Sequence, residues 1–135
     1  MTADEVQQII SYAYPLIQRS NKIKSKYGSG KGPVPKIDTS HKNTYAMHSG
    51  EPEAQGEHDA TSIAEYYKGV IYLYLPNITN EKELIIALIH EYTHYLQNIT
   101  PLKTSVANQR YKYEDNPYEQ EAHANEEKWE EFLQK

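Results

Sequence analysis

Two histidines stand four residues apart in the run His90-Glu91-Tyr92-Thr93-His94. On an α-helix that spacing sets both imidazoles on one face, one turn apart, where two ring nitrogens converge on a metal ion at about 2.0–2.1 Å. Glu91 follows about 100° further round the helix. It is badly placed for a third ligand and well placed to take a proton from a water that the metal activates, then return it to a leaving group. The chemistry open to such a set is metal-assisted hydrolysis.

The chain has no cysteine, which excludes a thiolate site and a disulfide framework and leaves His, Asp and Glu to hold any metal. A catalytic zinc takes three protein ligands and keeps one position open. Gln97 and Thr100 stand where Gly and His would continue the motif in the metzincin class, so the third ligand must come from elsewhere. The segment Pro117–Asn125 offers Glu119, Glu121 and His123. Periodicity leaves the three open, and Glu119 has a rival role: as the third residue after Asn116 it can close a capping box. The bland reading of His90 and His94 is a semi-buried pair satisfied by nearby carboxylates.

To position these groups the chain needs a buried helix and a partner for it. Over about Glu81 to Asn98, Leu84, Leu88, Tyr92, Tyr95 and Ile99 share one side. Ile85, Ile89 and Leu96 widen that side and leave a polar strip at Glu83, His90, His94 and Gln97. Asn80 with Glu83 three residues later marks the start. Upstream, Thr61–Tyr67 and Val70–Leu75 are β-prone, with Lys68-Gly69 as a hairpin turn. Thr2-Ala3-Asp4-Glu5 fits a capping box for an amphipathic first helix through Val6, Ile9, Ile10, Ala13 and Ile17, in which Pro15 is a candidate kink. Tyr27–Pro35 reads as an exposed loop. Its Gly28/Gly30/Gly32 spacing lacks the ending of a phosphate loop and follows a helix rather than a strand. Lys36–Thr39 and Thr44–Met47 have weak strand potential in a polar stretch that also holds His41, His48 and His58, which read as exposed and inert. After Pro101 an irregular stretch is expected, and then a last helix capped by Asn116 with Pro117 at its first position. Its apolar stripe is Tyr118, Ala122, Trp129, Phe132 and Leu133, with Trp129 and Phe132 read as core. The fold class expected is α+β in one domain over residues 1–135: an N-terminal helix, a small twisted sheet with a hairpin, the buried histidine helix and a C-terminal ligand helix.

Composition sets the outer bounds. With 38% hydrophobic and 24% charged residues the chain falls in the ordinary globular class, and no apolar run is long enough to span a bilayer. The first residues are acidic where a secretory signal is basic, so a cytoplasmic location is expected. A net charge of −5 weighs against general affinity for nucleic acid. The charge is uneven, however. Arg19, Lys22, Lys24, Lys26, Lys31 and Lys36 fall in a stretch without acids, and Glu114–Glu131 is strongly acidic. Two solvated faces that attract each other are the expectation, with an anionic partner for the basic stretch as the alternative.

The strand, the His90-Glu91-x-x-His94 helix and the later Glu119-Gln120-Glu121-Ala122 resemble the minimal zincin pattern of the ImmA/IrrE-type peptidases and of the HtpX and CAAX prenyl protease family. The resemblance covers about Ala64 to Asn125. It implies a Zn2+-dependent metallopeptidase with His90, His94 and Glu119 as metal ligands, Glu91 as general base, and Ala122 as the small residue that lets two helices approach. It also puts His123 beside the ligands, where those families have Asp or Asn. Zincin peptidases bind substrate as an added strand on a sheet edge and turn a phenol or imidazole toward the developing oxyanion. Ile63-Ala64-Glu65-Tyr66 is the candidate edge, and Tyr111 or Tyr113 the candidate donor, with Tyr113 the nearer to the last helix. The partner expected is a protein or peptide substrate, and oligomeric state is left open. Two other readings remain: a catalytically silent zincin-fold module that docks on a protein or nucleic acid, and a zinc hydrolase acting on a non-peptide amide or ester.

Overall fold

The computed structural model describes residues 1–40, 64–67, 69–97 and 101–134. The strand potential at Thr44–Met47, the three histidines His41, His48 and His58, and Ile63 and Ile99 lie outside them. Helix α1 (Ala3–Arg19) opens with the expected box: the Glu5 amide donates to Thr2 Oγ1 at 3.1 Å, and the Thr2 amide donates to Glu5 Oε1 at 2.9 Å. Val6, Ile9, Ile10, Ala13, Tyr14 and Ile17 form its buried face, and the helix runs through Pro15 without ending.

Among the described residues the sheet has three strands: β1 (Lys36–Asp38), β2 (Ala64–Tyr67) and β3 (Val70–Leu73). Their order is β1-β3-β2, with β1 parallel and β2 antiparallel to the central β3. Tyr67 pairs with Val70 across the turn, where Gly69 takes φ +81°, the left-handed region that a two-residue hairpin requires. Among the described residues β2 is thus an edge strand, and it packs on the helix that carries the histidines. On β3, Ile71 and Leu73 are buried while Val70 and Tyr72 are half-covered, so both faces are shielded as the sequence suggests.

After a single 3-10 turn at Leu75–Asn77 comes helix α2 (Glu81–Gln97). Asn80 Oδ1 accepts from the Glu83 amide at 2.9 Å, and the Glu83 carboxylate returns to Thr79 and Asn80. Leu84, Ile85, Leu88 and Ile89 have no exposed surface. Burial of each stabilises by about 1.5–3 kcal/mol, a sum that offsets the cost of carrying a half-buried polar strip on the same helix.

The stretch after Pro101 departs from expectation, because Pro101–Arg110 is helical (α3). Proline is compatible with a first turn, and α3 buries little beyond Ala107, leaving Leu102 and Val106 exposed. With so small a buried face it leaves no stripe to be read. Helix α4 (Pro117–Glu126) starts at its Asn116 cap but ends sooner than the apolar stripe implies. Trp129–Phe132 form a separate 3-10 turn, which places Phe132 in the core with Trp129 and Leu133 against it.

The segment between α1 and β1 is irregular as expected, yet it is pinned rather than free. The Gly30 amide donates to the Leu96 carbonyl at 3.2 Å and Tyr95 Oη donates to the Gly32 carbonyl at 2.9 Å, so the loop lies across the C-terminal end of α2. At Gly30 φ is +86° and an added Cβ would stand 2.6 Å from the Tyr95 ring. The basic stretch also meets the acidic tail, with Lys22 Nζ 2.6 Å from Glu131 and the Lys26 amide 2.9 Å from Glu121. Among the described residues no helix is long and apolar enough to cross a membrane.

Candidate metal centre

α4 crosses α2 at Ala122, which has no exposed surface, and Asn125 locks the crossing by donating to Thr93 Oγ1 and to the Lys24 carbonyl, both at 3.0 Å. This contact brings the sequence-predicted groups together. His90 Nε2 lies 3.0 Å from Glu119 Oε1 and 3.1 Å from His94 Nε2, and His94 Nε2 lies 3.2 Å from Glu119 Oε1. Ligand atoms about 2.0–2.1 Å from a tetrahedral ion stand about 3.3 Å apart, so the triangle has the size of three corners of a zinc site.

The outward nitrogens fix what the inward ones can do. Glu126 Oε2 lies 2.6 Å from His90 Nδ1, and an ionised carboxylate only accepts, so Nδ1 carries the hydrogen. Gln97 Oε1 takes the same role for His94 Nδ1 at 2.8 Å, because the Gln97 amide nitrogen is committed to the Tyr118 carbonyl at 2.8 Å and to Glu121 at 3.0 Å. Both neutral imidazoles then aim Nε2 lone pairs at the point where Glu119 aims a carboxylate oxygen. Three acceptors converging on one point repel unless a cation or a proton stands between them.

The surroundings of the triangle favour a proton in that place. For His90, burial is the largest influence and opposes the charged form, but hydrogen bonds to Glu119 and Glu126 and the charge of Glu91 outweigh it and raise the pKa to about 10. His94 is raised for the same reasons, with burial again opposing Glu119 and Glu91. Burial acts to raise Glu119, and the two histidines overcome it to hold its carboxyl well below the usual range.

The other candidates take distinct places. Glu121 accepts from Ser25 Oγ at 2.5 Å, from the Lys26 amide and from Gln97, and so anchors the loop rather than joining the triangle. Glu119 faces the histidines, while the Asn116 amide donates to the Tyr113 carbonyl, so the capping-box role does not claim the carboxylate. His123, half exposed, sits with its ring centroid 4.9 Å from that of His90 and its Nδ1 2.8 Å from Glu126 Oε2. Tyr113 Oη lies 3.2 Å from His123 Nε2. Tyr113 is an exposed residue, but partial desolvation of its hydroxyl, and then the charge of Glu119, push its pKa above the ordinary tyrosine value. Tyr111 instead stacks under Arg110. Glu91 is half-buried, and its charge acts on His90, His94 and Tyr113 alike, which puts it beside the triangle without making it part of it.

Two contributors escaped the sequence reading. Gln97 lies on the polar strip, three residues past His94, and was legible only as polar. Glu126 lies seven residues past Glu119, two helical turns and hence on one face. That periodic relation was the available signal, diluted by the many other acids of the tail. A second group, His90, His123 and Glu126, also has ligand atoms close together, but it shares His90 with the first. No protein-family model, curated protein or solved structure matches the chain.

Proposed function

We propose that the chain is a minimal zincin: a Zn2+-dependent metallopeptidase in which His90, His94 and Glu119 hold the metal. The observation that carries this reading is the convergence of two Nε2 atoms and one carboxylate oxygen within 3.0–3.2 Å, with each Nδ1 tied outward. A zinc ion held there supplies Lewis acidity that acidifies water and polarises a scissile carbonyl.

The chain's own residues do the rest. Glu91, one residue past the first ligand, takes the proton of the attacking water and delivers it to the leaving nitrogen. The Tyr113 hydroxyl, which rests against His123 Nε2 at 3.2 Å, turns its single hydrogen from that ring to the oxyanion that develops on the substrate carbonyl. β2, an edge strand packed on α2, offers main-chain hydrogen bonds to an extended peptide laid beside the metal. This edge is what favours a peptide over another amide or an ester.

The experiment is a comparison of wild type with Glu91→Gln. Zinc stoichiometry is expected to stay at one equivalent, while cleavage of a mixed peptide library falls by at least about a hundredfold, the scale of a lost general base. Activity that survives the substitution defeats the mechanism. Binding of a partner that is unchanged in Glu91→Gln, with no cleavage by wild type, would identify a silent docking module instead.

A further inference from the structure

One carboxylate oxygen touches two imidazoles. Glu126 Oε2 is 2.6 Å from His90 Nδ1 and 2.8 Å from His123 Nδ1, and His123 Nε2 faces the Tyr113 hydroxyl at 3.2 Å. Glu126 itself is largely covered, with 19% of its side chain exposed, whereas His123 is 51% exposed. A solvated histidine prefers its hydrogen on Nε2. Here the acceptor-only carboxylate demands it on Nδ1, and the Nε2 lone pair is left pointing at the phenol.

We propose that Glu126 is a positioning residue that fixes the tautomers of His90 and His123 together, holding His90 Nε2 toward the metal and His123 Nε2 toward the Tyr113 hydroxyl. The inference rests on the metal-centre reading for His90 alone. The families the chain resembles place Asp or Asn directly after the Ala of Glu-x-x-Ala; here that place is taken by His123, and a carboxylate stands three residues further on at Glu126. His123 lies between that carboxylate and the Tyr113 phenol. The orientation of the metal ligand and the position of the phenol depend on the same oxygen.

Two readouts test this without any substrate. Zinc affinity, measured by competition with a chromophoric chelator, is expected to fall about ten- to hundredfold in Glu126→Ala, the usual cost of losing a group that orients a ligand. Glu126→Gln, whose amide oxygen still accepts from Nδ1, is expected to recover part of that loss, and His123→Asn to stay within about twofold of wild type. Long-range 1H–15N correlation spectra are expected to show His123 as the Nδ1–H tautomer in wild type and as Nε2–H in Glu126→Ala. Unchanged zinc affinity in both Glu126 variants, or an Nε2–H tautomer for His123 in wild type, overturns the proposal. If wild type takes up no zinc, the metal reading falls by itself, and the His123 tautomer still decides whether Glu126 governs that ring.

Discussion

At the scale of the residue, the His90–His94–Glu119 triangle is expected to trade protons for metal. In the metal-free protein Glu119 has a depressed pKa, so its contribution to stability is present above its ordinary value of 4.5 and lost as pH falls toward the depressed one. His90 has a raised pKa, so its contribution is full below 6.5 and lost as pH rises through about 10. The two overlap completely between pH 4.5 and 6.5. Zinc would reverse the preference, because its ligands must be deprotonated, and the apparent affinity is expected to climb from pH 6.5 toward 10. Calorimetric titration at pH 7 in buffers of different ionisation enthalpy is expected to return a net release of at least one proton per zinc, from His90 and with a further share from His94. Binding without proton release would show that the ion does not sit on His90. Spacing made His90, Glu91 and His94 readable from the sequence, since a helix converts four residues into one face. Glu126 and Gln97 were not readable as orienting groups, because what they orient is set by a crossing of two helices that no local pattern specifies.

At the scale of the element, the decisive contact is that crossing. Ala122 has no exposed surface, and any longer side chain there pushes α4 away from α2. Ala122→Leu is expected to cost about 1–3 kcal/mol in chemical denaturation and to weaken zinc binding, as Glu119 withdraws from the histidines. Retention of full affinity would show that the helices can re-pack without moving Glu119. Caps and stripes made α1, α2 and the start of α4 legible: Thr2 with Glu5, Asn80 with Glu83, and Asn116 before Pro117 all close as their sequences suggest. α3 escaped because it has almost no apolar face to betray it. The end of α4 escaped because Trp129 and Phe132 continue the stripe from a 3-10 turn, and periodicity does not distinguish a helix from two pieces that share its line.

At the scale of the whole molecule, the apolar core and the His90–His94–Glu119 triangle are separate supports. Val6, Ile17, Ile71, Leu73, Leu84 and Leu88 pack α1, the sheet and α2 together without a ligand atom among them. Chelation is therefore expected to leave a folded protein, with helical far-UV circular dichroism and a cooperative melt, in contrast to small zinc domains that unfold without metal. Zinc at a hundredfold over its dissociation constant is expected to add about 2.7 kcal/mol to that stability. Collapse of the helical signal on chelation would show that the core cannot stand alone. The ties between the segment after α1 and the tail carry one further consequence, which concerns time. Lys22, Lys24, Ser25 and Lys26 meet Glu131, Asn125 and Glu121 across separations of 95 to 109 residues. Contacts that span most of a chain close late, since a long loop must lose its freedom before they form. Hairpin and helix can assemble early, but the third corner of the triangle arrives with the tail, so competence to bind metal should be among the last properties the folding chain acquires.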